Sequence, residues 1–214
     1  MLQNRPPIVV VLGHVDHGKT TLLDYLRQSN IAARESGGIT QVIRSFQLNN
    51  ITFIDTPGHS AFAAMRARGS DLADIAILAV AADDGIMPQT VQSVEFIKLA
   101  HIPYLVALTK SDLPNANPDK VKTQLTETGV VVEDFGGDIP AISVSAKTGQ
   151  GIPELLELLE LLVSLHLPKG DPDGPLQAVV LESSLDSKKG PLATLIIKSR
   201  TLKVADVFPQ GKIP

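Results

Sequence analysis

The chain has no cysteine and no tryptophan, and aromatic residues make up only 4% of it. Without cysteine there is no disulfide framework, thiolate metal site, iron–sulfur cluster or cysteine nucleophile. The same absence fits a reducing compartment. No stretch approaches the roughly 18–20 apolar residues of a membrane-spanning helix. The first residues, Met1-Leu2-Gln3-Asn4-Arg5-Pro6-Pro7, show neither a secretory apolar region nor an Arg/Ser-rich transit pattern, so the chain reads as soluble, with no membrane partner. Positive charge is not in excess: 19 Lys and Arg face 23 Asp and Glu, for a net charge of −4. That argues against a bulk polycationic nucleic-acid binder while leaving room for a local basic patch.

What is present is a hydrophobic content of 43% in 214 residues. This suits one α/β domain of ordinary size with a small appendage. Apolar β-rich runs at 8–12, 51–54, 75–82, 104–108 and 141–144 alternate with helical patterns at 19–30, 88–100, 118–128 and 152–165. Continuously apolar strands joined through helices predict an α/β fold with a doubly wound, mostly parallel sheet. The leucine-rich pattern at 152–165 is expected to face the core. Five Pro or Gly between Leu167 and Pro175 mark a boundary. The expected organisation is therefore an α/β domain over 1–167 and a linker over 168–175. An incomplete β-barrel domain over 176–214 follows, its first two strands meeting at Ser187-Lys188-Lys189-Gly190-Pro191.

Four motifs carry the chemistry. Gly13-His14-Val15-Asp16-His17-Gly18-Lys19-Thr20 fits G-x-x-x-x-G-K-[ST] between a strand and a helix. Glycines let the backbone wrap phosphates, successive N–H groups and the helix N-terminus supply a positive field, and Lys19 reaches the β/γ oxygens. Thr20 would ligate Mg²⁺, and Thr21 completes the phosphate-binding set. Asp55-Thr56-Pro57-Gly58-His59 follows the strand at 51–54, which places Asp55 to hold Mg²⁺ through water and Gly58 to offer its amide to a γ-phosphate. Thr109-Lys110-Ser111-Asp112 and Ser145-Ala146-Lys147 each follow a strand. Asp112 suits the N1–H and N2–H₂ donors of guanine, a pair that adenine lacks; Lys110 would lie along the base, and the Ala146 amide would meet the guanine carbonyl. Each short motif alone is weak. Together, each at a strand's carboxyl end, they predict a GTPase that binds GTP or GDP with Mg²⁺.

These residues resemble the translational GTPases, and within them bacterial-type translation initiation factor two. The narrower marks are Gly37-Gly38-Ile39-Thr40-Gln41, Met65-Arg66-Ala67-Arg68-Gly69 and Ala81-Ala82-Asp83-Asp84-Gly85-Ile86-Met87-Pro88-Gln89-Thr90, with Val180-Leu181-Glu182-Ser183 and Gly190-Pro191-Leu192-Ala193-Thr194 resembling the start of that family's second domain. By resemblance, Thr40 is a switch I ligand of Mg²⁺ and His59 positions the attacking water. Val15 and Ile39 flank that histidine, Asp16 is linked to a monovalent cation, and Arg66 and Arg68 face ribosomal RNA. The implied partners are the ribosome and, through parts of a longer parent, initiator tRNA; the fragment itself is expected to be monomeric.

No arginine is placed as a finger in cis, so hydrolysis is expected to be slow until the ribosome fixes His59. His14, His17, His101 and His166 read as loop or surface histidines. The family's usual asparagine in the guanine motif, which braces the P-loop and the base, is Thr109 here, which is expected to loosen nucleotide affinity. That departure leans toward a mitochondrial matrix protein, with the bacterial cytoplasm as the alternative. Val42 and Arg44 also depart from the family's switch I. Two other readings stay open: a different translational GTPase of the elongation factor type, and a nucleotide-sensing module with negligible turnover.

Overall fold

The computed structural model describes residues 2–28, 44–55 and 73–204. Its contacts divide the chain into two units, one of Pro6–Leu167 and one formed by the residues up to Arg5 with those from Pro168 onward.

The first unit is built on strand β2 (Ile8–Gly13), in which every residue is buried. Such a β-branched run is satisfied only with a layer on each side. Around it stand β3 (Arg44–Leu48), β4 (Ile51–Asp55), β5 (Ile75–Ala81), β6 (Tyr104–Thr109) and β7 (Ala141–Ser143), in the order β3-β4-β2-β5-β6-β7. All neighbouring pairs are parallel except β3–β4, an antiparallel edge that the sequence reading did not anticipate. Here Asn49 and Asn50 both take positive φ, as a tight two-residue hairpin turn requires. The chain order reverses at β2, which has β4 on one side and β5 on the other, so the groove at its carboxyl end is a topological switch point.

The crossover helices are α1 (Lys19–Arg27), α2 (Pro88–Ala100), α3 (Pro118–Glu127) and α4 (Ile152–Leu165). Helix α1 stops at Arg27, short of the expected Asn30, because Gln28 turns left-handed and its N–H closes on the Asp24 and Tyr25 carbonyls. On one sheet face Val9, Val11, Phe53, Ile77 and Leu105 form a single cluster with Leu22 and Leu26 of α1 and Leu155 and Leu159 of α4. Strand alternation sends Val10, Leu12, Ala76 and Leu78 to the other face, and α2 packs on β2 and β5. Helix α4 faces the core through Ile152, Leu155 and Leu159, whereas Leu161 and Leu165 are exposed. Among the described residues no helix is long and apolar enough to cross a membrane.

In the second unit β9 (Gln177–Asp186) and β10 (Gly190–Ser199) pair antiparallel. Asp186 Oδ1 accepts the Lys188 and Lys189 N–H groups, each at 2.8 Å, which closes the turn and holds its carboxyl below the usual range. Two short strands, β1 (Gln3–Asn4) and β8 (Lys169–Gly170), also pair here. Contacts group the residues up to Arg5 with those from Pro168 onward, and within the stretch expected to be a linker Lys169 and Gly170 find backbone partners in Asn4 and Gln3.

The two stripes of α4 give a direct check. Leu155→Ala should lower the unfolding free energy by about 2–5 kcal/mol in urea denaturation. Leu161→Ala should change it by less than about 1 kcal/mol. Equal losses would mean that α4 does not bury the face assigned to it.

Candidate nucleotide-binding site

The P-loop leaves β2 at Gly13, whose φ is 140° and where a Cβ would run into the Ala79 carbonyl oxygen of β5. Only glycine fits there. The chain then takes left-handed turns at Asp16 (φ 64°) and Gly18 (φ 74°) before α1 begins at Lys19. These turns lead the glycine-bearing loop straight into the N-terminus of a nine-residue helix, the kind of helix start that favours an anion.

Two side chains from elsewhere in the fold hold this loop. The Val15 N–H donates to Gln89 Oε1 at 2.8 Å, from the first turn of α2. The Thr109 hydroxyl donates to the His17 carbonyl at 2.7 Å, from the last residue of β6. Gln89 and Thr109 are both buried. Val15 belongs to the stretch expected to bind phosphate, and its amide bonds Gln89 here. The sequence reading gave Gln89 no role in the loop, and nothing local would reveal one, since it lies 74 residues from Val15.

Lys19 and Thr20 are buried, and Thr21 is exposed at the third position of α1. The Lys19 ammonium donates to the His14 carbonyl at 2.5 Å. Burial lowers its pKa to about 8, against the opposing pull of Asp55 and Asp16. Asp55 is the buried last residue of β4, and Asp16 is exposed on the loop. His17, expected to be a loop or surface histidine, sits in the loop and is fully buried. Burial first, and then the edge-on His14 ring 5.1 Å away, lower its pKa to about 4, so it is neutral near pH 7. His101 and His166 are exposed.

At the far end of the groove the Ser145 hydroxyl donates to Asp112 Oδ1 at 2.7 Å, and itself accepts the Thr148 N–H at 3.2 Å. The backbone joins the two motifs as well, because the Ser111 N–H donates to the Val144 carbonyl at 3.2 Å. A hydroxyl bond to one oxygen fixes the carboxylate plane and leaves the second oxygen able to accept. Lys110, left-handed at φ 57°, sets its ammonium 3.6 Å from Asp83 and 3.5 Å from Asp84. Ala146 is half-buried and Lys147 exposed.

Lys19, Asp55, Thr109, Asp112, Ser145 and Ala146 thus stand at or just beyond the carboxyl ends of parallel strands, along one edge of the sheet. An apolar cleft of about 510 Å³, lined by Ile102, Pro103, Ile139, Leu158 and Leu161, lies at the opposite edge and holds none of these groups. The expected Thr40, Gly58 and His59, with Ile39, Val42, Arg66 and Arg68, lie outside the described residues.

Residues 32–165 match the family described as the elongation factor Tu GTP binding domain. The chain belongs to that family. The P-loop itself precedes the matched stretch, so its assignment rests on the geometry above. This GTP-binding-domain protein is 55% identical to translation initiation factor IF-2 of Halothermothrix orenii, over 98% of this chain and 31% of that protein. It is 50% identical to IF-2 of Aquifex aeolicus, over 98% of this chain and 27% of that protein. The chain therefore spans about a third or less of these curated relatives. Among solved structures it resembles GDP-bound aIF5B of Aeropyrum pernix, with a TM-score of 0.73 and 34% identity over 92% of this chain and 42% of that one. Elongation factor SelB of Methanococcus maripaludis, in complex with a GTP analogue, gives 0.72 and 27% over 95% and 44%.

The buried lysine makes a proton-linkage prediction. An anion beside Lys19 favours the charged amine, so binding above pH 8 should draw in a proton. Calorimetry of GDP binding at pH 8.5, in buffers of different ionisation enthalpy, should show uptake of roughly three-quarters of a proton, the share deprotonated half a unit above the pKa. No uptake would mean that Lys19 does not meet the phosphates.

Proposed function

We propose that this chain is the GTP-binding and GTP-hydrolysing part of a translation initiation factor of the IF-2 type. The observation that carries the reading is the convergence of a braced P-loop and a hydroxyl-braced aspartate on one sheet edge. The half-identical relatives support it with their name.

In this reading the loop amides and Lys19 neutralise the β/γ oxygens, and Asp112 with the Ala146 amide selects guanine. The residues fit Mg²⁺: the buried Asp55 carboxylate ends β4 and the buried Thr20 hydroxyl lies in the first turn of the helix after the neighbouring strand β2, with the Lys19 ammonium close enough to feel Asp55. Mg²⁺ held by these two, and by Thr40 in the GTP state, would supply charge neutralisation on the phosphates. His59 orients the water, and its alignment is completed on the ribosome. Ribosomal RNA is met near Arg66 and Arg68, and initiator tRNA by other parts of the longer protein. Hydrolysis here is positioning and electrostatics, which suits a slow intrinsic rate raised by a partner.

Phosphate release in multiple turnover, using the full-length protein, should rise strongly when intact ribosomes are added. His59→Ala should abolish that rise while leaving GTP affinity within about threefold, since a residue acting only on the transition state does not change ground-state binding. No stimulation by ribosomes would favour a nucleotide-sensing module instead.

A further inference from the structure

Thr109 stands where the P-loop meets the base-reading motif, and its hydroxyl is already committed. A threonine hydroxyl has one proton to give, and its lone pairs only accept. That proton goes to the His17 carbonyl oxygen at 2.7 Å, between two buried residues. Gly18 passes beside the same side chain, its Cβ direction ending 3.7 Å from Thr109 Cβ and Oγ1. Turning the hydroxyl elsewhere would leave the His17 carbonyl without this bond in a dry setting, a loss that one new contact would not offset.

The consequence concerns which edge of the purine is read, and it rests on the guanine reading above. In that reading Asp112 accepts from N1–H and N2–H₂, and the Ala146 amide donates to O6. The next polar atom round the ring is N7, an acceptor with no proton. A hydroxyl that has given its proton to His17 has none left for N7.

The geometry points to Thr109 as a positioning residue that fixes the P-loop and leaves the guanine N7 unread. Base specificity then comes from the Asp112 and Ala146 side of the ring alone, and the site accepts guanine nucleotides in which N7 is replaced by carbon. An asparagine at this position would carry two N–H donors, one for the His17 carbonyl and a second for N7. Thr109 therefore sets both how the loop is held and how much of the base is recognised.

The test is calorimetric titration of the 214-residue chain with GDP, 7-deaza-GDP and ADP. Wild type should bind GDP and 7-deaza-GDP within about threefold of each other. Thr109→Asn should prefer GDP over 7-deaza-GDP by about three- to tenfold, the worth of one added hydrogen bond. Thr109→Val should weaken both guanine nucleotides alike, and Thr109→Ser should restore them. A wild-type preference for GDP of more than about threefold would overturn the inference. This arm needs no variant to fold. Equal binding of GDP and ADP would instead overturn the guanine reading on which the inference rests.

Discussion

A hydroxyl–carbonyl bond, from Thr109 to His17, links the two ends of the candidate site. The P-loop has left-handed turns at Asp16 and Gly18. Such a segment has no ladder of its own to satisfy its polar groups. The neighbouring strand and helix do so instead. Thr109 takes the His17 carbonyl from β6, and Gln89 takes the Val15 amide from α2. Because Thr109 lies only three residues before Asp112, the contact that shapes the phosphate end also anchors the base end.

Electrostatics follow from that shape. The turns bury Lys19 against the loop carbonyls, and burial brings its pKa down to about 8. A poorly solvated cation gains more from a phosphate than a solvated one does, since less water must be displaced and the local dielectric is low. Asp55 and Asp16 oppose the fall and keep the amine mostly charged at neutral pH. His17, neutral and fully buried, adds no charge and fills space beneath the loop.

Much of this was legible in the sequence. The strands β2, β5 and β6 are apolar on both faces, so their runs announced a covered parallel sheet, and motifs after successive strands fell on one edge. What was not legible depends on distant partners. The antiparallel strand β3 alternates polar and apolar residues, and as an edge it needs only β4. The β1–β8 pair joins residues far apart in sequence, and short polar pieces carry no periodicity. His17 is polar in type yet fully buried, because the loop folds over it. Gln89 reads as an ordinary first-turn residue until α2 packs against the loop. Thr109 was visible as an unusual residue; only the structure showed which atom its hydroxyl bonds.

The central claim is that a braced Asp112 selects the base on a sheet edge organised by Thr109. The most direct measurement compares Asp112→Asn with wild type in binding GDP and xanthosine diphosphate. An amide in place of the carboxylate offers a donor where xanthine has a carbonyl, so preference should reverse, with GDP weakened by at least about a hundredfold. A variant that still prefers GDP to xanthosine diphosphate would contradict the account.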